Sequence, residues 1–110
     1  MRKVYSVFGV RLDIDVVVEA TGGFNSYEKA QVHRDAGARR VVITAPSKDE
    51  DTNDAKTVLM GVNEKDLGTC SLSSNGSCTT NAVAAVVQII DDAIGVEKAI
   101  FIHISKKTTI

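Results

Sequence analysis

Hydrophobic positions fall into short unbroken runs separated by polar stretches, and one later segment carries a sustained helical period. The first run, residues 15–21 centred on Val16-Val17-Val18, stops at Gly22-Gly23 and predicts a strand buried on both faces, as in a parallel sheet. Asn25 or Ser26 can cap a helix over residues 27–36, with Glu28 in its first turn and Gly37 as its stop. Arg40-Val41-Val42-Ile43-Thr44 predicts a second buried strand, ended by Pro46, which has no N–H for a ladder. Strand, helix and strand in this order make a βαβ unit with a right-handed parallel crossover.

Beyond that unit the pattern weakens. Residues 47–56, with Asp49, Glu50, Asp51 and Asp54, have no hydrophobic period and predict a solvated loop. Residues 57–63 are a third strand candidate interrupted by Gly61, residues 70–73 a shorter fourth, and residues 74–77 a small-residue turn. Val83, Val86, Val87, Ile90 and Ile94 then recur at helical spacing, which predicts a helix over residues 80–93 ending at Gly95. Alternating, Ile-rich residues 99–105 predict a terminal strand. The fold class is α/β: a parallel sheet built on a βαβ unit plus further strands, followed by a helix and a terminal strand.

At 110 residues the chain amounts to one domain at most. Thirteen Lys and Arg offset fourteen Asp and Glu, and no basic cluster is interleaved with aromatic residues, so neither nucleic acid nor an anionic membrane surface is the expected partner. No apolar run approaches the roughly 20 residues of a membrane-spanning helix, and the start Met1-Arg2-Lys3 leads into no secretory signal. A cytoplasmic location is therefore expected, with Cys70 and Cys78 as free thiols rather than a disulfide. Two cysteines and two histidines without a paired spacing make a poor zinc site, and the acidic stretch lacks the alternating ligands and glycine of a calcium loop, so no metal is expected.

Cys78 is the residue with the clearest chemistry. It lies in Ser77-Cys78-Thr79-Thr80-Asn81, where a loop becomes a helix. The thiolate is the reactive form of cysteine, and the unpaired N–H groups of a helix N-terminus favour an anion. The same groups can stabilise the oxyanion formed when a thiolate attacks a carbonyl, and the hydroxyls of Ser77 and Thr79 can donate to an anionic substrate. The plain alternative is a small buried hydrophobe followed by capping residues.

The run Ser74-Asn75-Gly76-Ser77-Cys78-Thr79-Thr80-Asn81 resembles the active-site signature of phosphorylating glyceraldehyde-3-phosphate dehydrogenases. So do three further blocks in the family order: Glu19-Ala20-Thr21-Gly22-Gly23-Phe24, the stretch from Ala36 to Lys48, and Met60-Gly61-Val62-Asn63. The resemblance covers residues 15–104 and corresponds to the middle of a family member. It implies a partial Rossmann-like sheet, with residues 1–77 as the C-terminal half of an NAD-binding domain and residues 78–110 as the start of a catalytic domain. It also implies that Cys78 attacks an aldehyde to give a thiohemiacetal, that hydride passes to NAD or NADP, and that inorganic phosphate releases an acyl phosphate. Position by position, Ser77 and Thr79 would bind phosphate and Thr21, Gly22 and Thr44 would line the cofactor; a homo-oligomer is expected separately, because half of a doubly wound sheet exposes a strand edge that seeks pairing. The substrate would be a sugar-phosphate aldehyde, with erythrose-4-phosphate dehydrogenase as a neighbouring possibility.

Two features depart from the family pattern. No G-x-G-x-x-G occurs, so the turn that anchors a dinucleotide pyrophosphate is missing and cofactor binding by this chain alone should be weak or absent. Ungapped alignment puts Ser105 where the family places its histidine base, and His103 lies two residues earlier on the same face of the expected strand, which makes it a possible base. His33 reads as a structural residue of the crossover helix. The chain is therefore expected to be inactive by itself, and the alternatives are an inactive oligomerising module, exposed at a sheet edge, or a non-functional truncated product.

Overall fold

In the computed structural model, residues 6–7, 10–11, 13–102 and 104 are described. Ser6–Val7 (β1) and Val10–Arg11 (β2) pair antiparallel. The body of the chain is a parallel sheet of Val16–Glu19 (β3), Arg40–Ile43 (β4), Ala55–Thr57 (β5) and Leu72–Ser74 (β6) in the order β3-β4-β6-β5. The helix Tyr27–Asp35 (α1) makes the crossover from β3 to β4, as the hydrophobic pattern predicts. It starts where Ser26 accepts the Lys29 N–H at 3.3 Å and where Asp49 accepts the Glu28 N–H at 3.0 Å. No helix among the described residues is long and apolar enough to cross a membrane.

The crossover helix covers one face of the sheet, and the opposite face runs from an exposed β3 edge to Ser73 of β6, which is buried. Register pairs Val17 with Val41 and Glu19 with Ile43, then Val41 with Leu72 and Leu72 with Ala55, so these side chains share a face. Tyr27 and Ala30 of α1 close over Val41, Ile43, Ala55 and Leu72 to form the core, with Val17 and Ala45 at its margin. Ala30 has no side chain beyond Cβ, and it is completely buried, so α1 approaches the sheet closely. On the opposite face Val16 is 50% exposed and Val18 is 61% exposed. The expectation that residues 15–21 are buried on both faces is thus corrected. They form an edge strand with helix cover on one side only.

Other boundaries also move, each for a local reason. The third strand runs over β5 and ends at Thr57, not across residues 57–63. There the Asn63 side chain accepts the Leu59 N–H at 2.8 Å and donates to the Thr57 carbonyl at 3.0 Å, folding the segment into a turn that leads to a 3-10 helix, Glu64–Gly68. The expected loop over residues 47–56 is corrected at its end, where Ala55, which is buried, and Lys56 enter β5; its acidic side chains are exposed but not idle. Asp51 accepts from the Thr57 N–H at 2.9 Å and the Tyr27 hydroxyl at 2.9 Å, and Asp54 accepts from the Ser71 N–H at 2.9 Å and from Arg34 at 2.8 Å. Residues 99–102 form no strand, Ile100 is exposed, and among the described residues no strand lies alongside to complete a ladder; Ser105 lies outside the described residues.

Because Ile43 is packed within the apolar layer under α1, Ile43→Ala should lower the unfolding free energy by about 2–5 kcal/mol, read as a lower urea midpoint at unchanged slope. Val18→Ala, on the exposed side of β3, should change it by less than about 0.5 kcal/mol.

Candidate active site

Parallel strands deliver their carboxyl ends to one edge, and ligands in such sheets bind at that edge. Here it carries Thr21 and Gly22 after β3, Thr44 after β4, and the loop to Cys78 after β6. The helix Cys78–Ile94 (α2) begins at Cys78 itself, two residues earlier than the apolar period alone predicts. The extension has a polar cause: Ser77 is the N-cap, accepting the Thr80 N–H at 3.0 Å and sharing a 2.7 Å hydroxyl contact with Thr80.

The loop into α2 is tied down at several points. Ser74 is fully buried; its hydroxyl donates to the Ala45 carbonyl at 2.7 Å and accepts the Gly76 N–H at 3.1 Å. Gly76 sits at φ 68°, a conformation that glycine adopts without strain, and a Cβ there would lie 3.4 Å from Leu59. The Asn81 amide reaches back to the carbonyls of Asn75 at 2.7 Å and Ser77 at 2.8 Å. Asn81 is thus a clamp on the loop, a role that helical spacing does not reveal.

Cys78 is exposed at the first turn of α2, where backbone N–H groups have no intrahelical acceptor, and its sulfur lies 4.0 Å from the Thr79 hydroxyl. Cys70 is buried, and that burial pushes its thiol up from the ordinary value. Among the described residues no group of three His, Cys, Asp or Glu side chains could hold a metal ion. His103 lies outside the described residues.

Thr21 and Thr44 converge on a residue that sequence reasoning left without a role, Glu19, and Gly22 follows Thr21 in the turn. Its backbone carbonyl accepts the Thr44 N–H at 3.1 Å and the Thr44 hydroxyl at 3.2 Å. Its carboxylate accepts the Thr21 N–H at 2.8 Å and the Thr21 hydroxyl at 2.5 Å, and on its other oxygen it meets His33 Nε2 at 2.6 Å. The Thr21 hydroxyl, burial and the His33 ring act together on this carboxyl, and hydrogen bonding wins: Glu19 is held below the usual carboxylate value. A glutamate inside a strand otherwise rich in valine was the available signal.

Residues spanning this site match proteins of known name. The chain is 49% identical over 90 residues to glyceraldehyde-3-phosphate dehydrogenase 2 of Bacillus subtilis, covering 80% of this chain and 25% of the relative. The chain is homologous to a segment of glyceraldehyde-3-phosphate dehydrogenase. The enzyme of that name from Mycobacterium tuberculosis is 44% identical over 98 residues, 88% of this chain and 28% of the relative, and the one from Clostridium acetobutylicum is 48% identical over 88 residues, 79% and 25%. The chain spans about a quarter of the length of these glyceraldehyde-3-phosphate dehydrogenases. No protein-family model matches it.

Two measurements follow from this geometry. Iodoacetamide should alkylate Cys78 in the folded chain and reach Cys70 only on unfolding, as read by peptide mass; equal labelling would contradict the burial difference. Since the Glu19 carboxyl is depressed when folded, its contribution to stability is present above the ordinary value of 4.5 and lost as pH falls through the lower, folded value. The stability gap between the native chain and Glu19→Gln should therefore shrink in acid, measured by urea unfolding from neutral pH downward.

Proposed function

We propose that this chain forms the cysteine-bearing part of a glyceraldehyde-3-phosphate dehydrogenase active site, with Cys78 as its nucleophile. The observation that carries the reading is the exposed sulfur of Cys78 at the first turn of α2, set by a clamped loop at the edge where Thr21, Gly22 and Thr44 emerge. In this reading residues 1–77 belong to the cofactor side and residues 78–110 begin the catalytic side. A cytoplasmic location and a homo-oligomer belong to the same reading.

The Cys78 thiolate attacks the aldehyde carbon of a sugar phosphate and forms a thiohemiacetal, whose oxyanion is met by the first-turn N–H groups of α2. Thr79, beside the sulfur, serves the phosphate side. Ser77 joins it by turning outward the hydroxyl proton it shares with Thr80. Phosphate attack on a Cys78 thioester releases an acyl phosphate and restores the thiolate. His103 is the candidate acceptor for the proton lost on forming the oxidised adduct.

The residues present fit the nicotinamide end of NAD or NADP but not the pyrophosphate end. Gly22, at φ 77° with open space around its Cα, lets a ring approach the backbone between Thr21 and Thr44. No Gly-rich dinucleotide turn occurs in the sequence. When bound, the cofactor supplies the hydride acceptor for the oxidation. Steady turnover by this chain alone is accordingly not part of the proposal.

A second reading, an inactive oligomerising module, is favoured by the exposed Val16 and Val18 of the edge strand and by α2, which buries none of its residues and exposes Val86, Ile89, Ile90 and Ile94. The two readings separate on Cys78. Glyceraldehyde-3-phosphate should protect Cys78 from iodoacetamide in a concentration-dependent way, and inorganic phosphate alone should protect less. Alkylation that proceeds at the same rate with and without the aldehyde would sink the catalytic reading.

A further inference from the structure

Glu19 is a carboxylate buried at the end of an edge strand, and no step proposed for Cys78 uses it. Both of its oxygens are engaged, one by Thr21 through two donors and the other by His33 of α1. Thr21 passes the constraint on, because its oxygen accepts the Gly23 N–H at 3.2 Å while its proton points at Glu19. The Phe24 ring then tilts against His33, with centroids 5.7 Å apart, so the chain leaving the turn is held to the same helix residue. On its backbone side, Glu19 fixes Thr44 through two further bonds.

We propose that Glu19 is a positioning residue: it holds the turn of Thr21, Gly22 and Gly23 in one shape and, through the same residue, ties that turn to Thr44. The proposal rests on the reading of Thr21, Gly22 and Thr44 as the nicotinamide side of the site. Gly22 and Gly23 adjoin in an exposed segment, and two successive glycines without a constraint sample many conformations. The constraint needs a pure acceptor. Three donors, the Thr21 N–H, the Thr21 hydroxyl and the His33 Nε2–H, converge on one side chain, and a carboxylate is the group that meets all three without presenting an N–H of its own. His33 anchors the carboxylate to α1, which is packed on the sheet, so the turn is referenced to the core and not to solvent.

Amide hydrogen exchange on the isotopically labelled full chain tests this. In Glu19→Ala the Thr21 and Gly23 amides should exchange about tenfold faster relative to Val41, a core amide bonded to the Ser71 carbonyl. Glu19→Gln, which keeps one acceptor for Thr21 but turns an NH2 group toward His33, should restore that protection only in part. Thr21→Val, at an exposed position that leaves the core untouched, should free the Gly23 amide by a similar factor even if Glu19→Ala does not fold. Thr21 and Gly23 rates that stay unchanged, or that rise only in step with Val41, would overturn the proposal. Titration with NAD reads the other question: shifts at the Thr21, Gly22 and Thr44 amides that weaken in Glu19→Ala support both ideas. A wild-type chain with no such shifts removes the cofactor reading and leaves the exchange result to decide the role of Glu19.

Discussion

Packing of one helix against one face of a parallel sheet is the constraint from which the rest follows. Parallel strands cannot be joined by a tight turn, so β3 and β4 need a crossover, and α1 supplies both the connection and the cover. Its Ala30 and Tyr27 press on Val41, Ile43, Ala55 and Leu72, and that layer sets the register of all four strands. Once the register is set, the carboxyl ends of β3, β4 and β6 share one edge, and the loop to Cys78 starts from that edge.

The polar groups at the edge are organised from below by the same packing. Glu19 and Ser74 lie on the packed face at the last position of their strands, where a side chain is buried yet reaches the loops above. Ser74 uses that position to fix Ala45 and Gly76, and Glu19 uses it to fix Thr21. Buried polar groups need partners, and here their partners are loop atoms of the candidate site. Val16 and Val18 on the other side of β3, and Val86, Ile89, Ile90 and Ile94 of α2, are exposed among the described residues.

Much of the βαβ unit was legible because its signals are local: a β-branched run, a serine cap, a glycine stop and a second run. The region after Thr57 reads as a strand in the sequence because its β-branched start looks the same whether or not a later asparagine bends it back. Residues 99–102 alternate like a strand, but alternation makes a strand only beside a partner ladder, and none pairs with them among the described residues. The acidic stretch reads as a solvated loop, and its carboxylates are exposed, yet Ala55 is buried at the start of β5 and Asp49, Asp51 and Asp54 each fasten a backbone N–H from elsewhere in the chain. Such bonds join residues 6 to 21 positions apart, and no periodicity encodes them.

By itself, the sequence determined the α/β class, the crossover helix, the position of Cys78 at a helix start and the kinship with a segment of glyceraldehyde-3-phosphate dehydrogenase. Each of these rests on neighbours within a few residues or on ordered blocks that can be matched letter by letter. Tertiary structure alone decided which face of the sheet is covered, that Asn81 clamps the loop before Cys78, and that Glu19 joins Thr21, Thr44 and His33. The reason is geometric. Strand order and register decide which distant side chains meet, and a carboxylate in a row of valines has no visible partner until the helix carrying His33 is laid across it.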